Sequence, residues 1–271
     1  MELHGRNCAL PFAEGVEVPL SDDERLLIDH LIESMAAPEE RVDQVFLGPK
    51  QIFLRAGSRA GLAASLGSSS RKGISTIESV RGKTLREVAS LLYDDLLLNR
   101  SLGAAALNAG LEPKGDLKSP NALDLILDKG RGRDVVVVGD FPFTDRIRAE
   151  AGRLSLLELK DVPDRLDLEK WDEALASCDV AAITGTALLT RSMARHLKAS
   201  PQAYQFILGA TAPLSPVLIN NYGADVLAGS VVVDAEKTER GVMEGLSIST
   251  LHRTGCLRFC NMSKEQGKGA Q

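Results

Sequence analysis

Small polar residues collect directly after four apolar runs of the sequence, together with two carboxylates. In a parallel α/β sheet, the carboxyl ends of the strands meet at one edge, where such folds bind ligands. Glycine lets the backbone come close to a ligand there, but it is also common in ordinary turns, so each segment alone fits either interpretation. Taken together on one edge, they predict a ligand site. The segments are Gly139-Asp140-Phe141-Pro142, Glu158, Thr184-Gly185-Thr186 and Gly209-Ala210-Thr211.

The carboxylates Asp140 and Glu158 could bind a cation or ligand hydroxyl groups. Glu158 follows Gly139 by about 20 residues, close to the spacing of the acid that holds a ribose in dinucleotide-binding folds. The glycine fingerprint is missing, however, and Asp140, Phe141 and Pro142 would repel or crowd a pyrophosphate. The sequence also lacks a P-loop and a Gly-x-Ser-x-Gly nucleophile motif. Ordinary dinucleotide or nucleotide binding is therefore disfavoured.

Other potential ligands and catalytic groups are scattered. Cys256 and Cys260 lie near His252, but their spacing is unusual for zinc and no second cluster accompanies them. No Ser-His-Asp or Cys-His set can be assembled from the sequence. Asn108 lies in an Ala/Leu-rich run and either bonds locally or points into a cleft. Arg100, on the same run, is either a surface charge or a cation for an anionic ligand.

The first 112 residues predict a smaller α+β unit. Ser21 begins a helix that Pro38 ends, two short β-rich runs flank Gly48-Pro49, and Thr84 begins the first of two further helices, the second ending at Gly110. Residues 55–83 are basic and rich in glycine and serine, which fits either a mobile lid over an anion or a solvated loop. Residues 113–120 predict a linker.

From residue 121 onward, apolar strands without polar alternation are separated by helices. This pattern predicts a parallel sheet covered on both faces, and hence a Rossmann-like α/β domain over residues 121–255, followed by a tail over residues 256–271. The predicted strands are 134–139, 154–159, 180–184, 206–209, 226–227 and 231–233, and the predicted helices are 122–127, 144–151, 168–177, 192–198 and 236–244.

The amino-acid composition and the net charge argue against several classes of function. The 271 residues are 44% hydrophobic and 25% charged, as in ordinary globular proteins, and 4% aromatic, so the core must be aliphatic. A net charge of -5 argues against nucleic-acid and anionic-membrane partners. No apolar run is long enough to span a bilayer, no secretory signal is visible, and four scattered cysteines do not form a disulfide framework. We therefore expect a cytoplasmic protein.

Several ordered segments resemble the heavy-metal chelation domain family. They are Gly-x-Phe-Pro at residue 139, Leu156-Leu157-Glu158-Leu159, Cys178-Asp179-Val180, Ile183-Thr184-Gly185-Thr186, residues 208–216, residues 227–234, and the helix pair Gly82-Lys-Thr-Leu-Arg-Glu-Val-Ala and Arg100-Ser-Leu-Gly-Ala-Ala-Ala-Leu-Asn-Ala. The resemblance implies an enolase N-terminal-like domain joined to a Rossmann-like domain, with a ligand site in the cleft between them. It places Asn108 in that cleft and implies metal chelation.

One departure concerns the metal. The family often carries Gly-His-Phe-Pro, whereas this chain has Asp140 at the second position. Aspartate shifts a metal site towards harder, oxygen-preferring ions, so Asp140 is the predicted metal ligand.

Three hypotheses follow for the function. The first is a protein that binds a small molecule or a metal in the interdomain cleft, with a divalent or transition metal ion as the candidate cofactor. The second is an enzyme of lyase or transferase type acting on a small anionic substrate in the same cleft. The third is a non-catalytic partner in a metal-dependent pathway. Whether the chain forms a homo-oligomer is left open.

Overall fold

A computed structural model describes residues 19–67, 78–113, 121–159 and 161–264. The predicted linker lies mostly outside these ranges, as do Cys8, Arg71, Lys72 and the end of the predicted tail. None of the helices in the described ranges has the length and apolarity needed to cross a membrane.

Within the described residues, the N-terminal part combines helices with a small antiparallel sheet. Ser21 caps the first helix by accepting a hydrogen bond from the Glu24 N–H at 3.2 Å, as its sequence position predicts. Thr84 and Glu87 form a capping box at the start of the second helix. The elements are α1 (Asp22–Glu33), β1 (Gln44–Leu47), β2 (Gln51–Ala56), β3 (Arg59–Ala64), α2 (Leu85–Ala89), a 3₁₀ turn (Ser90–Tyr93) and α3 (Leu97–Gly110). The predicted hairpin is confirmed as the antiparallel pair β1–β2.

The sequence analysis assigned residues 55–83 to a loop, and the third strand, β3, shows that this prediction is wrong for part of the segment. Arg59–Ala64 pair with β2 in register, so this part of the predicted loop is a strand. The small residues serve packing, because a Cβ on Gly61 would lie 2.2 Å from the Ala105 carbonyl oxygen of α3. Sequence periodicity cannot register such a close approach of a helix to a strand, because its partner lies over 40 residues away.

The C-terminal part is a six-stranded sheet with helices on both faces. Its elements are α4 (Ala122–Gly130), β4 (Asp134–Val138), α5 (Thr144–Glu150), β5 (Arg153–Leu157), a 3₁₀ turn (Leu168–Lys170), α6 (Trp171–Ser177), β6 (Val180–Thr184), α7 (Met193–Ala199), β7 (Tyr204–Leu208), α8 (Pro216–Asn220), β8 (Val226–Val232), α9 (Ala235–Met243), α10 (Ile248–Arg253) and β9 (Leu257–Ser263). The order is β5-β4-β6-β7-β8-β9, parallel except for β9. The predicted fold class, an α/β protein whose large, mostly parallel sheet follows a smaller α+β unit, is confirmed.

Two local predictions differ from the structure near the C-terminus. The predicted short strands 226–227 and 231–233 are one strand, β8. Leu257–Ser263, which the sequence analysis placed in a tail, pair with β8 over seven residues and form the antiparallel edge of the sheet. Arg258 and Asn261 interrupt the apolar character of this segment, and only pairing with a distant strand makes it β.

The core runs through both halves of the chain. One cluster joins Leu31 and Leu107 of the N-terminal part to Val136 and Ile183 of the large sheet. A second cluster lies on the opposite face of the sheet, where Val135 and Val137 pack under α4 and α5. The large sheet is therefore buried on both faces, which explains its uninterrupted apolar strands.

Candidate functional site

Strand order places a crevice at the carboxyl edge between β4 and β6. The chain runs from β4 to β5 on one side and then returns to β6 on the other side of β4. At such a topological switch point, the loops that follow the two strands leave in opposite directions, which opens a space that α/β folds use for ligands. The segments after β4 and β6 are the Gly139 and Thr184 segments that the sequence analysis singled out.

Gly139 brings these two strand ends into contact. Its φ is +95°, a conformation that favours glycine, and its N–H donates to the Leu157 carbonyl oxygen at 2.8 Å. A Cβ at this position would lie 2.9 Å from Thr184 Cγ2. Glycine is therefore required here both by the backbone conformation and by the approach of Thr184.

Asp140 and Glu158 are adjacent at this crevice. The Asp140 N–H donates to Glu158 Oε2 at 2.9 Å, and the Leu159 N–H donates to Glu158 Oε1 at 2.8 Å. These bonds fix the Glu158 carboxylate in one orientation, while the Asp140 side chain is exposed. Two carboxylates thus lie on neighbouring strand ends, one held by backbone N–H groups and one open to solvent.

The aromatic pair after Asp140 packs on itself. The rings of Phe141 and Phe143 stack with centroids 5.1 Å apart and planes 10° apart, with the exposed Pro142 between them in sequence. The Phe141 N–H donates to Thr144 Oγ1 at 3.1 Å. This N–H is therefore already bonded within the protein, in keeping with the prediction that ordinary pyrophosphate binding is disfavoured.

The Thr184-Gly185-Thr186 segment links the crevice to the next strand end. Thr184 Oγ1 and Thr186 Oγ1 are 3.0 Å apart and hydrogen-bonded, and the Thr186 N–H donates to Thr184 Oγ1 at 3.3 Å. A Cβ on Gly185 would lie 2.3 Å from the Ala212 nitrogen, so the loop after β7 rests directly on this segment.

The Gly209-Ala210-Thr211 segment connects the large sheet to the N-terminal part. Thr211 Oγ1 accepts a hydrogen bond from the Ala64 N–H of β3 at 2.9 Å. The Asn108 side-chain Nδ2 donates to the Leu62 carbonyl at 2.9 Å and to the Ala210 carbonyl at 3.4 Å. Of the two interpretations of Asn108 left open by the sequence, the structure shows the side chain spanning the two halves of the chain.

A cleft of about 260 Å³ lies beside Asn108, between the two halves. Its walls come from β3, the C-terminal end of α3, the loop after β7 and the end of β8. Among the predicted site residues, Asn108 lines it, whereas Asp140, Glu158 and the Thr184 segment lie at the ends of β4, β5 and β6. The sequence analysis missed Ser230 and considered Arg59 only as one cation of the basic residues 55–83, because nothing local marks residues that line one cleft only through tertiary packing.

Arg100 is buried at the other end of α3. Its Nη1 donates to the carbonyls of Asp94 and Asp95 at 3.1 and 3.0 Å, and burial, followed by the nearby charge of Arg191, lowers its pKa to about 10. Arg191, which follows the Thr184 segment, reaches the same loop and donates to the Tyr93 and Asp94 carbonyls and to Asp95 Oδ1. This geometry supports a structural role for Arg100, and a role towards an anionic ligand stays a prediction.

In the part of the chain that the structure describes, no group of three or more His, Cys, Asp or Glu side chains converges, so neither soft donors nor carboxylates form a complete metal site there. Cys178 is buried, donates to the Leu175 carbonyl, and has a pKa raised by burial to about 11. Cys256 is also buried and donates to the Leu251 carbonyl. Burial lowers the pKa of His196 to about 4. The accessible donors at the site are carboxylate and hydroxyl oxygens.

Comparison with known proteins identifies the family. Residues 121–261 match the sequence profile of a family described as "Putative heavy-metal chelation", and residues 28–111 match a second profile with the same description. No curated protein is similar to the chain at a significant level.

Two crystal structures share the fold. One is a protein of unknown function from the DUF364 family of Desulfitobacterium hafniense, with a TM-score of 0.79, 22% sequence identity, and coverage of 90% of this chain and 100% of that chain. The other is a protein of unknown function from the same family in Pyrococcus horikoshii, with a TM-score of 0.70, 16% identity, and coverage of 90% and 99%. At these identities, the similarity establishes the fold.

Proposed function

Because the chain belongs to the family described as "Putative heavy-metal chelation", we propose that it binds a metal ion or a metal-bearing small molecule as cargo between its two halves. The ligand would lie along the carboxyl edge of the large sheet. In this proposal residues 1–112 form the enolase N-terminal-like domain, and residues 121–255 together with the edge strand β9 form the Rossmann-like domain. Asp140 would be the metal ligand.

The observation that carries the proposal is the Asp140–Glu158 pair at the switch point. The Asp140 N–H bond to Glu158 Oε2 holds two carboxylate-bearing residues together where this sheet order opens a crevice. Thr184 and Thr186 add hydroxyl oxygens on the facing strand end. Carboxylate and hydroxyl oxygens suit harder divalent ions better than soft ones.

The donor set also limits the kind of chelation. Two carboxylates supply part of a coordination sphere, so water or a bound organic chelator would supply the rest. Cys178 and Cys256 are buried, and both thiols donate to backbone carbonyls. The described residues therefore favour oxygen ligation at Asp140 over thiolate ligation, and a softer ion would enter as a complex with its own donors.

Equilibrium dialysis of the purified chain against Mg²⁺, Mn²⁺, Ca²⁺, Ni²⁺ and Zn²⁺ tests the proposal. We expect one ion to bind stoichiometrically, with a preference for oxygen-seeking ions, and Asp140→Ala to weaken it tenfold or more. Asp145→Ala is the matched control, because Asp145 is a fully exposed acid on the following helix. If both variants bind the ion equally, Asp140 is not a metal ligand. If the native chain binds none of these ions, the proposal that it binds a metal ion is wrong.

The second candidate is an enzyme acting on a small anionic substrate in the cleft between the two halves, beside Asn108. One observation favours it: Arg59, a cation, lines the cleft beside Asn108. Turnover of any carboxylate or phosphate ester in a substrate panel, lost in Arg59→Gln, would establish this alternative over simple binding.

A further inference from the structure

The cleft beside Asn108 carries polar groups that the crevice proposal does not use. Four parts of the chain form its walls: the start of β3 with the preceding Ser58, the end of α3 with the residues that follow it, the loop that carries Ala212 and Leu214, and the end of β8. These parts are distant in sequence and come together only in the folded chain. The cleft is therefore a separate place to look for a ligand.

Asn108 presents a hydrogen-bond acceptor to this cleft. Its two bonded neighbours, the Leu62 and Ala210 backbone oxygens, are carbonyls that only accept, so the amide nitrogen must face them. The carboxamide oxygen is then left for a donor. Because Asn108 is half-buried and lines the cleft, that donor would come from a bound molecule.

Ser230 supplies a hydroxyl that lacks a partner. Its Oγ is buried and makes no hydrogen bond to any residue within the described ranges, although Ser230 lines the cleft. Buried hydroxyl groups without partners are unfavourable and uncommon in folded proteins. A polar group of a ligand in the cleft would satisfy it once the atoms that cover this hydroxyl move aside.

Charges of both signs stand at the cleft. Arg59 Nη2 donates to Glu112 Oε2 at 2.7 Å, and Arg59 Nη1 donates to the Leu111 carbonyl at 3.1 Å. A guanidinium has five N–H groups, so donors remain for a further carboxylate. The Glu112 side chain is 58% exposed and keeps acceptor capacity for an ammonium group. A purely anionic ligand would meet Glu112, and a purely cationic one would meet Arg59.

From these groups we infer that the cleft binds a compact zwitterion of the α-amino-acid type. The ligand carboxylate would accept from Arg59, and its ammonium group would donate to Glu112 and to Asn108 Oδ1. Its side chain would lie against Ala109, Ala212 and Leu214, with Ser230 Oγ bonding a polar atom. This inference goes beyond the proposed function, because it uses residues distinct from Asp140 and Glu158.

Isothermal titration calorimetry, which measures the affinity of the full chain for each of the common L-amino acids, tests the inference. At least one should bind, and its carboxamide and its N-acetyl derivative, each lacking one charge, should bind at least tenfold more weakly. Arg59→Gln should lower the affinity at least tenfold. Arg55→Gln is the matched control and should bind normally, because Arg55 has similar exposure and its own carboxylate partner, Asp43, at 2.9 Å.

The Ser230→Ala variant tests binding in the cleft without disturbing the fold. Because Ser230 Oγ has no partner in the described structure, removing it should leave the melting temperature unchanged or higher while lowering affinity severalfold. Asp140→Ala should not change amino-acid binding, so failure of the metal proposal is distinguishable from failure here. Absence of binding by every amino acid, or equal binding by Arg59→Gln and the native chain, would overturn the inference.

Discussion

The Asp140 N–H donates a hydrogen bond to Glu158 Oε2 across 2.9 Å, joining the ends of the adjacent strands β4 and β5. The bond restrains the loop that carries the exposed Asp140 carboxylate. It also occupies one oxygen of Glu158, while the Leu159 N–H occupies the other. Under the proposed function, Glu158 would thus act mainly by orienting the Asp140 loop, and Asp140 would be the more direct ligand.

The first prediction concerns Gly139. Gly139→Ala should destabilise the fold by about 3 kcal/mol, because it places a Cβ 2.9 Å from Thr184 Cγ2 at a backbone φ of +95°. Gly132→Ala is the control: its φ is +67° with nothing within 4 Å of the new Cβ, so about 1 kcal/mol is expected. Urea denaturation measures both. Equal losses of stability in the two variants would mean that the Thr184 side chain moves aside at little cost in free energy, and that the crevice wall is not rigid.

The second prediction concerns Glu24, which is buried between α1 and α7 at 1% exposure. Its Oε1 accepts from the Arg195 N–H at 3.2 Å, and burial raises its pKa to about 7. Because this folded-state pKa exceeds the ordinary value of 4.5, the folded state binds more protons than the unfolded state. Stability should therefore be fullest below pH 4.5 with respect to this group and fall by about 3 kcal/mol as the pH rises through 7.

Glu24→Gln removes this titration, so the fall in the free energy of unfolding between pH 5 and 8 should disappear. Its control is Glu33→Gln, an exposed acid at the end of the same helix. His196, which lies on α7 beside Arg195, acts with the opposite sign, because its lowered pKa makes stability rise with pH. If the native chain and Glu24→Gln lose stability equally as the pH rises, Glu24 is not responsible for the loss.

The third prediction concerns Arg191, whose buried guanidinium joins the end of the β6 turn to the Tyr93–Asp95 loop. Lysine cannot span the two carbonyls and the carboxylate, so Arg191→Lys should cost about 2–3 kcal/mol. Arg195→Lys, at a partly exposed ion pair with Asp172, should cost less than about 1 kcal/mol. Hydrogen exchange should show faster opening at residues 93–97 in Arg191→Lys alone. Unchanged exchange there would mean that Arg100 suffices to hold the loop.

Local chemistry predicted much of this fold. Ser21 and Thr84 were identified as helix caps because a cap depends on residues three positions away. The strand ends followed from apolar runs and the glycines behind them, and Gly139 has the positive φ that such a turn requires. By contrast, β9 escaped prediction because its pairing partner, β8, is distant in sequence. β3 pairs with β2 across the short Gly57-Ser58 turn, and it escaped prediction because its small residues reflect packing against the distant helix α3.

The positions of the strand-end residues in the fold were predictable, and those of the residues that line the cleft were not. Asp140, Glu158 and Thr184 follow apolar runs directly, so their position at one edge follows from a parallel sheet. Arg59 and Ser230 meet only because β3 packs near β8, and no sequence spacing encodes that contact. The sequence analysis allowed Arg100 to be a surface charge, because charged side chains are usually exposed. In the structure, its guanidinium donates to the carbonyls of Asp94 and Asp95, which come within reach only when the loop folds back.

The most direct measurement is the location of a bound paramagnetic ion. Mn²⁺ added in substoichiometric amounts to isotopically labelled protein broadens NMR signals according to their distance from the ion. The account predicts that broadening centres on Gly139 to Phe141 and extends to Leu159 and Thr184, and that it disappears in Asp140→Ala. Broadening centred on another acidic surface, such as Asp43 and Glu236, or persisting unchanged in Asp140→Ala, would contradict the account.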